Sequence, residues 1–325
     1  MKDITLDHGG GGYKSWEIIK DIKSVLNFTG DWTNCEDDAA LFDLGNKQKL
    51  VFTTDAFIVT PSFFPGGNIG KISMCGTIND VSVMGARPIG ISVSIVMEEG
   101  FPSADFTKIL ESINKVSVES NIPVVTGDTK VTEKGKIDKI EITTAGVGLS
   151  TSPIVNSGIK EGDYIISSGD LGEHAVALLS KRFDYQTTIK SDCYAFNKEI
   201  EEVGKYLSAC KDPTRGGLAA NLIEMASKSK VKVILDEKDM PYKSEVVAIT
   251  ELLGLDIFSL ASEGRFIASV SEKNVQKALS ILKKYNKEAK IIGKAHKGNG
   301  LFLKTKLGGL RPLEMPRGKL IPRIC

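Results

Sequence analysis

The chain has 325 residues, of which 41% are hydrophobic and 26% charged, and these fractions predict a globular protein with enough apolar residues for two domain cores. Its 42 basic and 41 acidic side chains give a formal net charge of +1, which argues against broad binding to nucleic acid or to an anionic membrane. The sequence has no signal-peptide core and no apolar run of membrane-spanning length. Five scattered cysteines without a CxxC pair are typical of a reducing compartment and argue against structural zinc. We therefore expect a cytoplasmic protein that needs no membrane.

The first half of the chain mixes helical and strand periodicities. Apolar residues recur at helical spacing in some segments and alternate with polar residues in others. The predicted helices cover residues 13–26, 69–84 and 103–119, and the predicted strands cover 39–44, 50–54, 88–96, 122–126 and 140–149.

Ser, Thr, Pro and Gly gather at residues 150–162, and a second mixed unit follows. Its predicted helices cover 173–181, 216–228 and 274–285, and its predicted strands cover 164–168, 231–235, 266–270 and 291–292. Alternating strands and helices without one repeated period predict an α/β (or α+β) protein with mixed sheets flanked by helices, rather than a barrel. We expect two domains, residues 1–155 and 156–308, and a flexible tail over residues 309–325.

The sequence ends on a thiol, Cys325. The preceding segment contains several prolines and has no helical period, which predicts an extended, movable arm. A thiol on such an arm is suited to carrying a covalently bound group between two places. The alternative is a chance cysteine on a frayed tail.

Four aspartate-containing segments stand at the predicted ends of apolar elements, at residues 36–40, 53–55, 79–80 and 127–130. Carboxylates that converge on one cleft repel each other unless cations neutralise them, and oxygen-rich sites of this kind suit Mg²⁺ with substrate phosphates. Each aspartate taken alone is better explained as a turn or helix cap, and only the set of four favours a shared site.

Two glycine-containing segments supply a candidate phosphate site. Residues 9–12 are four consecutive glycines whose N–H groups could approach an anion, or which alternatively form only a flexible start. Residues 211–218 open a predicted helix whose N-terminus favours an anion. Neither the P-loop pattern nor the GxGxxG pattern of Rossmann folds occurs, so ATP would bind through another architecture.

Together these motifs resemble the ATP-binding superfamily of aminoimidazole ribonucleotide synthetase (PurM), selenophosphate synthetase and thiamine-phosphate kinase. The resemblance rests on Asp37–Ala40, Thr54–Asp55, Asn79–Val81, Gly127–Lys130 and Asp212–Gly217. It implies a PurM-like two-domain fold and a homodimer in which the N-terminal sheets pair.

Within that superfamily the chain is similar to one family, the [NiFe]-hydrogenase maturation factors called HypE. The similarity rests on the opening segment Ile4–Gly12, on Leu260–Gly264 and on the closing Pro322–Cys325. It implies that a partner, HypF, loads a carbamoyl group onto Cys325, that the enzyme dehydrates it to a thiocyanate with ATP, and that a HypC–HypD complex accepts the cyanide for iron.

The resemblance also implies roles for individual residues. Mg²⁺-ATP is expected on Asp38, Asp55, Asp80 and Asp128, which are also the metal ligands, with support from Thr129, Asp212, Thr214, Arg215 and Gly216. The expected catalytic residues are Cys325, Glu263 and Lys130, with Glu263 the better candidate base. The alternatives are that Lys130 is a solvated strand end and that Glu263 belongs to a turn.

Two other functions remain open from the sequence. The chain is alternatively a kinase or synthetase that acts on a diffusible small molecule, or a carrier without enzymatic activity. Turnover that survives loss of Cys325 would favour the first, and partner binding without ATP turnover would favour the second.

Overall fold

The computed structural model describes residues 3–316 and 324–325. The helices are α1 (Tyr13–Val25), α2 (Ile69–Val83), α3 (Ser103–Ser120), α4 (Glu173–Phe183), α5 (Asn197–Val203), α6 (Gly217–Ser229), α7 (Ser244–Leu253) and α8 (Val275–Tyr285). The strands are β1 (Trp32–Thr33), β2 (Ala40–Gly45), β3 (Gln48–Phe57), β4 (Phe63–Phe64), β5 (Gly67–Asn68), β6 (Arg87–Glu98), β7 (Val124–Thr132), β8 (Ile140–Ser150), β9 (Tyr164–Ser167), β10 (Leu207–Lys211), β11 (Val231–Asp236), β12 (Ile267–Val270), β13 (Lys290–Lys297), β14 (Gly300–Lys304) and β15 (Leu310–Leu313). None of the helices in these ranges is long and apolar enough to cross a membrane.

The first domain is built on a six-stranded sheet in the order β1-β2-β3-β8-β6-β7. Only β6 and β7 run parallel, and every other neighbouring pair is antiparallel. α2 packs on β3, β8 and β6 and is covered by α3, so it is buried along almost its whole length, as its small and apolar residues predict. β8 alternates buried and partly exposed residues, which shows that helices cover one face of this sheet and not the other.

The second domain has a seven-stranded sheet in the order β10-β12-β9-β13-β11-β14-β15. Successive residues of β9 point to opposite faces: Ile165 packs in the apolar cluster of α6, and Ile166 packs in the cluster of α5 and α8. Both faces are therefore covered by helices. The predicted mixed α/β architecture of two domains is confirmed.

The carboxyl end departs from the prediction of one flexible tail over residues 309–325. Leu310–Leu313 pair antiparallel with β14 as the outermost strand of the second sheet, so the prediction is wrong for these residues. Pro312 lacks an N–H, but a proline is tolerated in an edge strand, whose outer side has no partner. The predicted positions Pro322 and Arg323 lie outside the described residues. Beyond them, Ile324 is buried and Cys325 is half-buried.

Candidate active site

A cleft of about 910 Å³ is lined by residues of both domains. The first domain contributes Asp38 and Asp55, and the second contributes Asp212 and Glu263. Cys325 lines the same cleft. The structure thus brings the thiol and most of the predicted acidic residues to one place.

The carboxylates are placed by regular elements that end at the cleft. Asp38 precedes β2, Asp55 lies in β3, Asp80 lies in α2 and Asp212 directly follows β10. The carboxylate oxygens of Asp38, Asp80 and Asp212 lie within 4.8 Å of one another. The Thr53 hydroxyl lies 3.0 Å from Asp80 Oδ2 and 2.8 Å from the Asp38 carbonyl oxygen, which ties β3 to both residues.

This proximity changes the protonation of the group. Burial and the charges of neighbouring acids raise the pKa of Asp80 well above its ordinary value. Burial and the charge of Asp38 raise the pKa of Asp212 to about 8. Burial also raises the pKa of Asp38 and of Asp55. Carboxyl groups that disfavour each other's ionisation in this way are suited to a divalent cation, which favours their charged form.

Lys211, the last residue of β10, partly neutralises the acidic group. Its Nζ forms a buried ion pair with Asp38 and lies 3.7 Å from Glu224 Oε2. Burial opposes the charge on Lys211, but the adjacent carboxylates outweigh it and raise its pKa. Asp38 Oδ2 still has no hydrogen-bond partner within residues 3–316 and 324–325, and this buried oxygen is available to a cation. The residues therefore fit an Mg²⁺ site.

The neighbouring Asp37 has a different role. Its Oδ1 pairs with Lys228 Nζ at 2.8 Å, and its Oδ2 accepts from Asn34 Nδ2 at 2.9 Å and from the Asn156 N–H at 3.2 Å. Asp37 therefore joins the first domain to the second, while Asp38 faces the acidic group.

Glu263 lies on the loop before β12 and is 2% exposed. Its backbone N–H donates to Asp192 Oδ1 at 2.9 Å, while its Oε1 has no partner within the described residues. Burial, together with the charges of Asp212 and Asp192, raises the pKa of Glu263 well above its ordinary value. A carboxyl group with a raised pKa is matched to proton transfer near neutral pH.

The thiol of Cys325 is influenced by the same surroundings. Burial and the charge of Glu263 raise its pKa, while the Arg215 guanidinium opposes this shift. Arg215 is exposed and lines the cleft. The pKa of Cys325 is therefore influenced by both a buried acid and a cation.

The two glycine-containing segments meet at the cleft. Gly11 has φ +84°, and a Cβ there would lie 2.7 Å from the Arg215 carbonyl carbon and from the Gly216 nitrogen. Gly216, with φ +77°, caps the N-terminus of α6, and Thr214 lines the cleft beside it. This close approach needs glycine, and it gathers backbone N–H groups where an anion is favoured.

Asp128, Thr129 and Lys130 do not join this site within one chain. They lie exposed on β7, where Lys130 Nζ is 3.9 Å from Asp128 Oδ2. The strand register explains their position. Asp55 pairs with Thr144 of β8, and Thr144 is aligned across β6 with Gly127 of β7, so Asp55 and Gly127 face the same side of the sheet. Asp128 therefore faces the opposite side of the sheet, and three strand spacings of about 4.8 Å separate β7 from β3. Within a single chain Asp128, Thr129 and Lys130 thus do not meet the other expected ligands, and their role in the site stays a prediction.

Three residues to which the sequence assigned no role support the site. Lys211 precedes the recognised Asp212, but only the fold shows that it reaches Asp38. Asp192 and His174 were also missed, since their contacts to Glu263 and to Ile324 span 71 and 150 residues of sequence.

Comparison with known proteins gives a consistent result. Residues 36–150 match the N-terminal domain model of the AIR synthase related proteins, and residues 160–306 match the corresponding C-terminal domain model. A relative named carbamoyl dehydratase HypE, from Cupriavidus necator, is 40% identical, over 99% of this chain and 95% of its own.

Two solved structures are also similar. A HypE structure in complex with ATP has a TM-score of 0.83 and 34% identity, and covers 99% of this chain and 100% of its own. A HypE–HypF complex has a TM-score of 0.86 and 36% identity, and covers 92% of this chain and 99% of its own.

Proposed function

The chain belongs to the HypE family of carbamoyl dehydratases, and we propose that it uses ATP to convert a carboxamide on the sulfur of Cys325 into a thiocyanate. The product would supply the cyanide ligand for the iron of [NiFe]-hydrogenase. One observation carries this proposal: Cys325 lines the same cleft as the acidic group and Glu263. The chain thus brings its own thiol to the place where phosphates would bind.

The chemistry explains the need for ATP. Dehydration of S–CO–NH₂ must remove the carbonyl oxygen, and hydroxide is a poor leaving group because the pKa of water is about 15.7. Transfer of the γ-phosphoryl group forms a bond between phosphorus and the carbonyl oxygen and breaks the bond to ADP. The carbon–oxygen bond then breaks with release of phosphate, two protons leave the nitrogen, and S–C≡N remains.

The acidic residues would hold Mg²⁺-ATP. Asp38, Asp80 and Asp212 are close enough to share one cation, and Asp55 adjoins them. Mg²⁺ bound there would offset negative charge on the phosphate oxygens. Lys211 keeps Asp38 in place, and Thr214, Arg215 and Gly216 offer donors at the start of α6.

Glu263 is the proposed base for the nitrogen protons. It lines the cleft with Cys325, its Oε1 has no hydrogen-bond partner among residues 3–316 and 324–325, and its pKa is raised. Its position is fixed by the hydrogen bond from its own N–H to Asp192 and by the Asn79 amide, which donates to its carbonyl oxygen at 3.2 Å.

A homodimer would complete the site. β7 is the edge strand of the first sheet, and it exposes Val125 by 61% and Val131 by 66%. A long, apolar edge strand invites pairing with another strand. We propose that two copies pair their first sheets through this edge, so that Asp128, Thr129 and Lys130 of one copy serve the cleft of the other.

Mixing two inactive variants tests this arrangement. Neither Lys130→Ala nor Cys325→Ala alone should form thiocyanate. A mixture that exchanges subunits should regain activity, because one of its two clefts has an intact Cys325 and faces an intact Lys130. No recovery from a mixture shown by mass to contain mixed dimers would contradict the shared site.

We further propose HypF as the carbamoyl donor and a HypC–HypD complex as the cyanide acceptor. The test is intact-protein mass spectrometry after incubation with HypF, carbamoyl phosphate and ATP, followed by fresh Mg²⁺-ATP. We expect an adduct on the C-terminal peptide that then loses the mass of water. ATP turnover with a small molecule that persists in Cys325→Ala would instead show a diffusible substrate.

A further inference from the structure

Ile324 and Cys325, at the carboxyl end, make contacts with residues outside the acidic group. Ile324 is 4% exposed and packs in the apolar cluster that also contains Phe64, Ala175 and Leu178. Its carbonyl oxygen accepts a hydrogen bond from His174 Nε2 at 2.8 Å. These contacts hold the residue that directly precedes the reactive thiol.

The surroundings of His174 fix its ring so that Nε2 donates to the Ile324 oxygen. It is fully buried in the first turn of α4, and the Phe64 ring meets its imidazole edge to face at 5.2 Å between ring centres. A carbonyl oxygen can only accept, so Nε2 carries the proton and Nδ1, 2.8 Å from Ser191 Oγ, accepts from the hydroxyl. Ser191 Oγ in turn accepts from the Cys193 N–H at 3.1 Å. The tautomer and the ring orientation are therefore fixed.

A second hydrogen bond holds the other residue of the dipeptide Ile324–Cys325. The N–H of Ile58, directly after β3, donates to the Cys325 oxygen at 3.3 Å. The dipeptide is thus held by both domains, through Ile58 in the first and His174 in the second.

We propose that His174, the Ile58 N–H and the apolar cluster around Ile324 form a binding site for an apolar residue followed by the reactive cysteine, here called the tail seat. If Ile324 leaves, the Nε2–H of His174 loses the acceptor that it has among the described residues. A buried donor without a partner is unfavourable, and the loss of one such bond shifts a docking equilibrium about tenfold. The tail seat thus sets how much of the time the thiol stands in its own cleft.

The tail seat is also joined to the proposed base. Ser191, which fixes His174, is followed in sequence by Asp192, whose Oδ1 accepts from the Glu263 N–H. One short segment therefore supports both the docked tail and Glu263. The link to Glu263 as a base rests on the proposed function, whereas the tail seat itself does not.

Alkylation of Cys325 by iodoacetamide, followed on separated peptides by mass spectrometry, tests the tail seat without ATP or HypF. Cys35 is exposed and serves as the internal reference in the same molecule. In the full chain we expect Cys325 to react much more slowly than the same C-terminal peptide free in solution. His174→Phe keeps a ring in the apolar cluster but removes the donor, and it should raise the Cys325 rate relative to Cys35 about tenfold.

Two further variants keep the test decisive. Tyr185→Phe removes a hydrogen bond of 3.2 Å to the carbonyl oxygen of Val176 in α4, the helix that also carries His174. This control should leave the Cys325 alkylation rate unchanged. Ile324→Asn changes the docked residue rather than the residues that bind it. It should raise the Cys325 alkylation rate even if His174→Phe fails to fold.

Equal rates for Cys325 in the full chain and in the free peptide, or no rise in either tail-seat variant, would overturn the tail seat. Dehydration is measured separately with carbamoylated protein and ATP. Failure of that reaction with a protected Cys325 would overturn the proposed function and leave the tail seat standing.

Discussion

Replacing Lys211 by methionine should destabilise the protein and disturb the acidic group. Lys211 is buried, and its Nζ is paired with Asp38 and 3.7 Å from Glu224. At an effective dielectric constant of about 20, the attraction to Glu224 alone amounts to about 4 kcal/mol before desolvation is subtracted. Removing one partner of a buried ion pair leaves the other charge uncompensated and typically costs about 3–5 kcal/mol. We expect a loss of that size in the free energy of unfolding.

Urea unfolding followed by circular dichroism measures the loss. Lys49→Met is a matched control, because Lys49 pairs with Asp43 at 2.6 Å, but the side chains of this pair are 32% and 63% exposed. We expect the control to lose little stability, because an exposed ion pair contributes little. The loss in Lys211→Met should be larger at about pH 8.5 than at about pH 6, because Asp38 without its partner takes up a proton more readily at lower pH.

A second substitution separates charge from packing. Adding Asp38→Asn to Lys211→Met removes the uncompensated charge and should restore part of the lost stability. A loss below about 1 kcal/mol in the single variant, or one equal to that of Lys49→Met, would refute the view that Lys211 neutralises a buried acid.

Three further predictions concern proton transfer and binding. Glu263→Gln should slow thiocyanate formation by about 10²–10⁴-fold, while carbamoylation and ATP affinity, measured by mass spectrometry and calorimetry, stay unchanged; a matching loss of ATP affinity would contradict the base role. Because the pKa of Asp212 is raised to about 8, Mg²⁺ must displace a proton below that pH; its affinity by calorimetry should rise with pH up to about 8, and Asp212→Asn should flatten this rise. Burial lowers the pKa of His174 to about 4 from 6.5, so the unfolded chain takes up this proton first as pH falls. Relative to His174→Gln, the parent should lose up to about 3 kcal/mol of unfolding free energy between pH 6.5 and pH 4, and a constant difference would contradict this.

Local patterns in the sequence were enough to predict most of the fold. The small and apolar residues of α2 and the alternation in β6 and β8 identify these elements, because each depends on side chains close in sequence. α5 and α7 were missed. The pairing of β15 with β14 was also missed, since a strand containing a proline is recognised only when its position at the sheet edge is known.

The acidic group was predicted in part, through the resemblance to a known superfamily. Asp38, Asp55, Asp80 and Asp212 meet in the cleft, as expected of ATP-binding residues. Lys130 and its neighbours do not, because strand order does not follow the chain: β8 and β6 separate β7 from β3. Motif spacing along the sequence carries no information on this order or on which face of a sheet a side chain occupies.

The hydrogen bond between Tyr13, the first residue of α1, and Pro316 limits how far the reactive thiol can travel. The Tyr13 N–H donates to the Pro316 oxygen at 3.3 Å, and nine residues lead from Pro316 to Cys325. Even fully extended, nine residues span only about 30 Å. Any partner that loads or unloads the sulfur must therefore bring its own active site within that radius, beside the mouth of the cleft. One thiol confined to such a volume has a local concentration on the order of 10 mM, so delivery to the cleft is a tethered, first-order event that does not depend on how dilute the protein is.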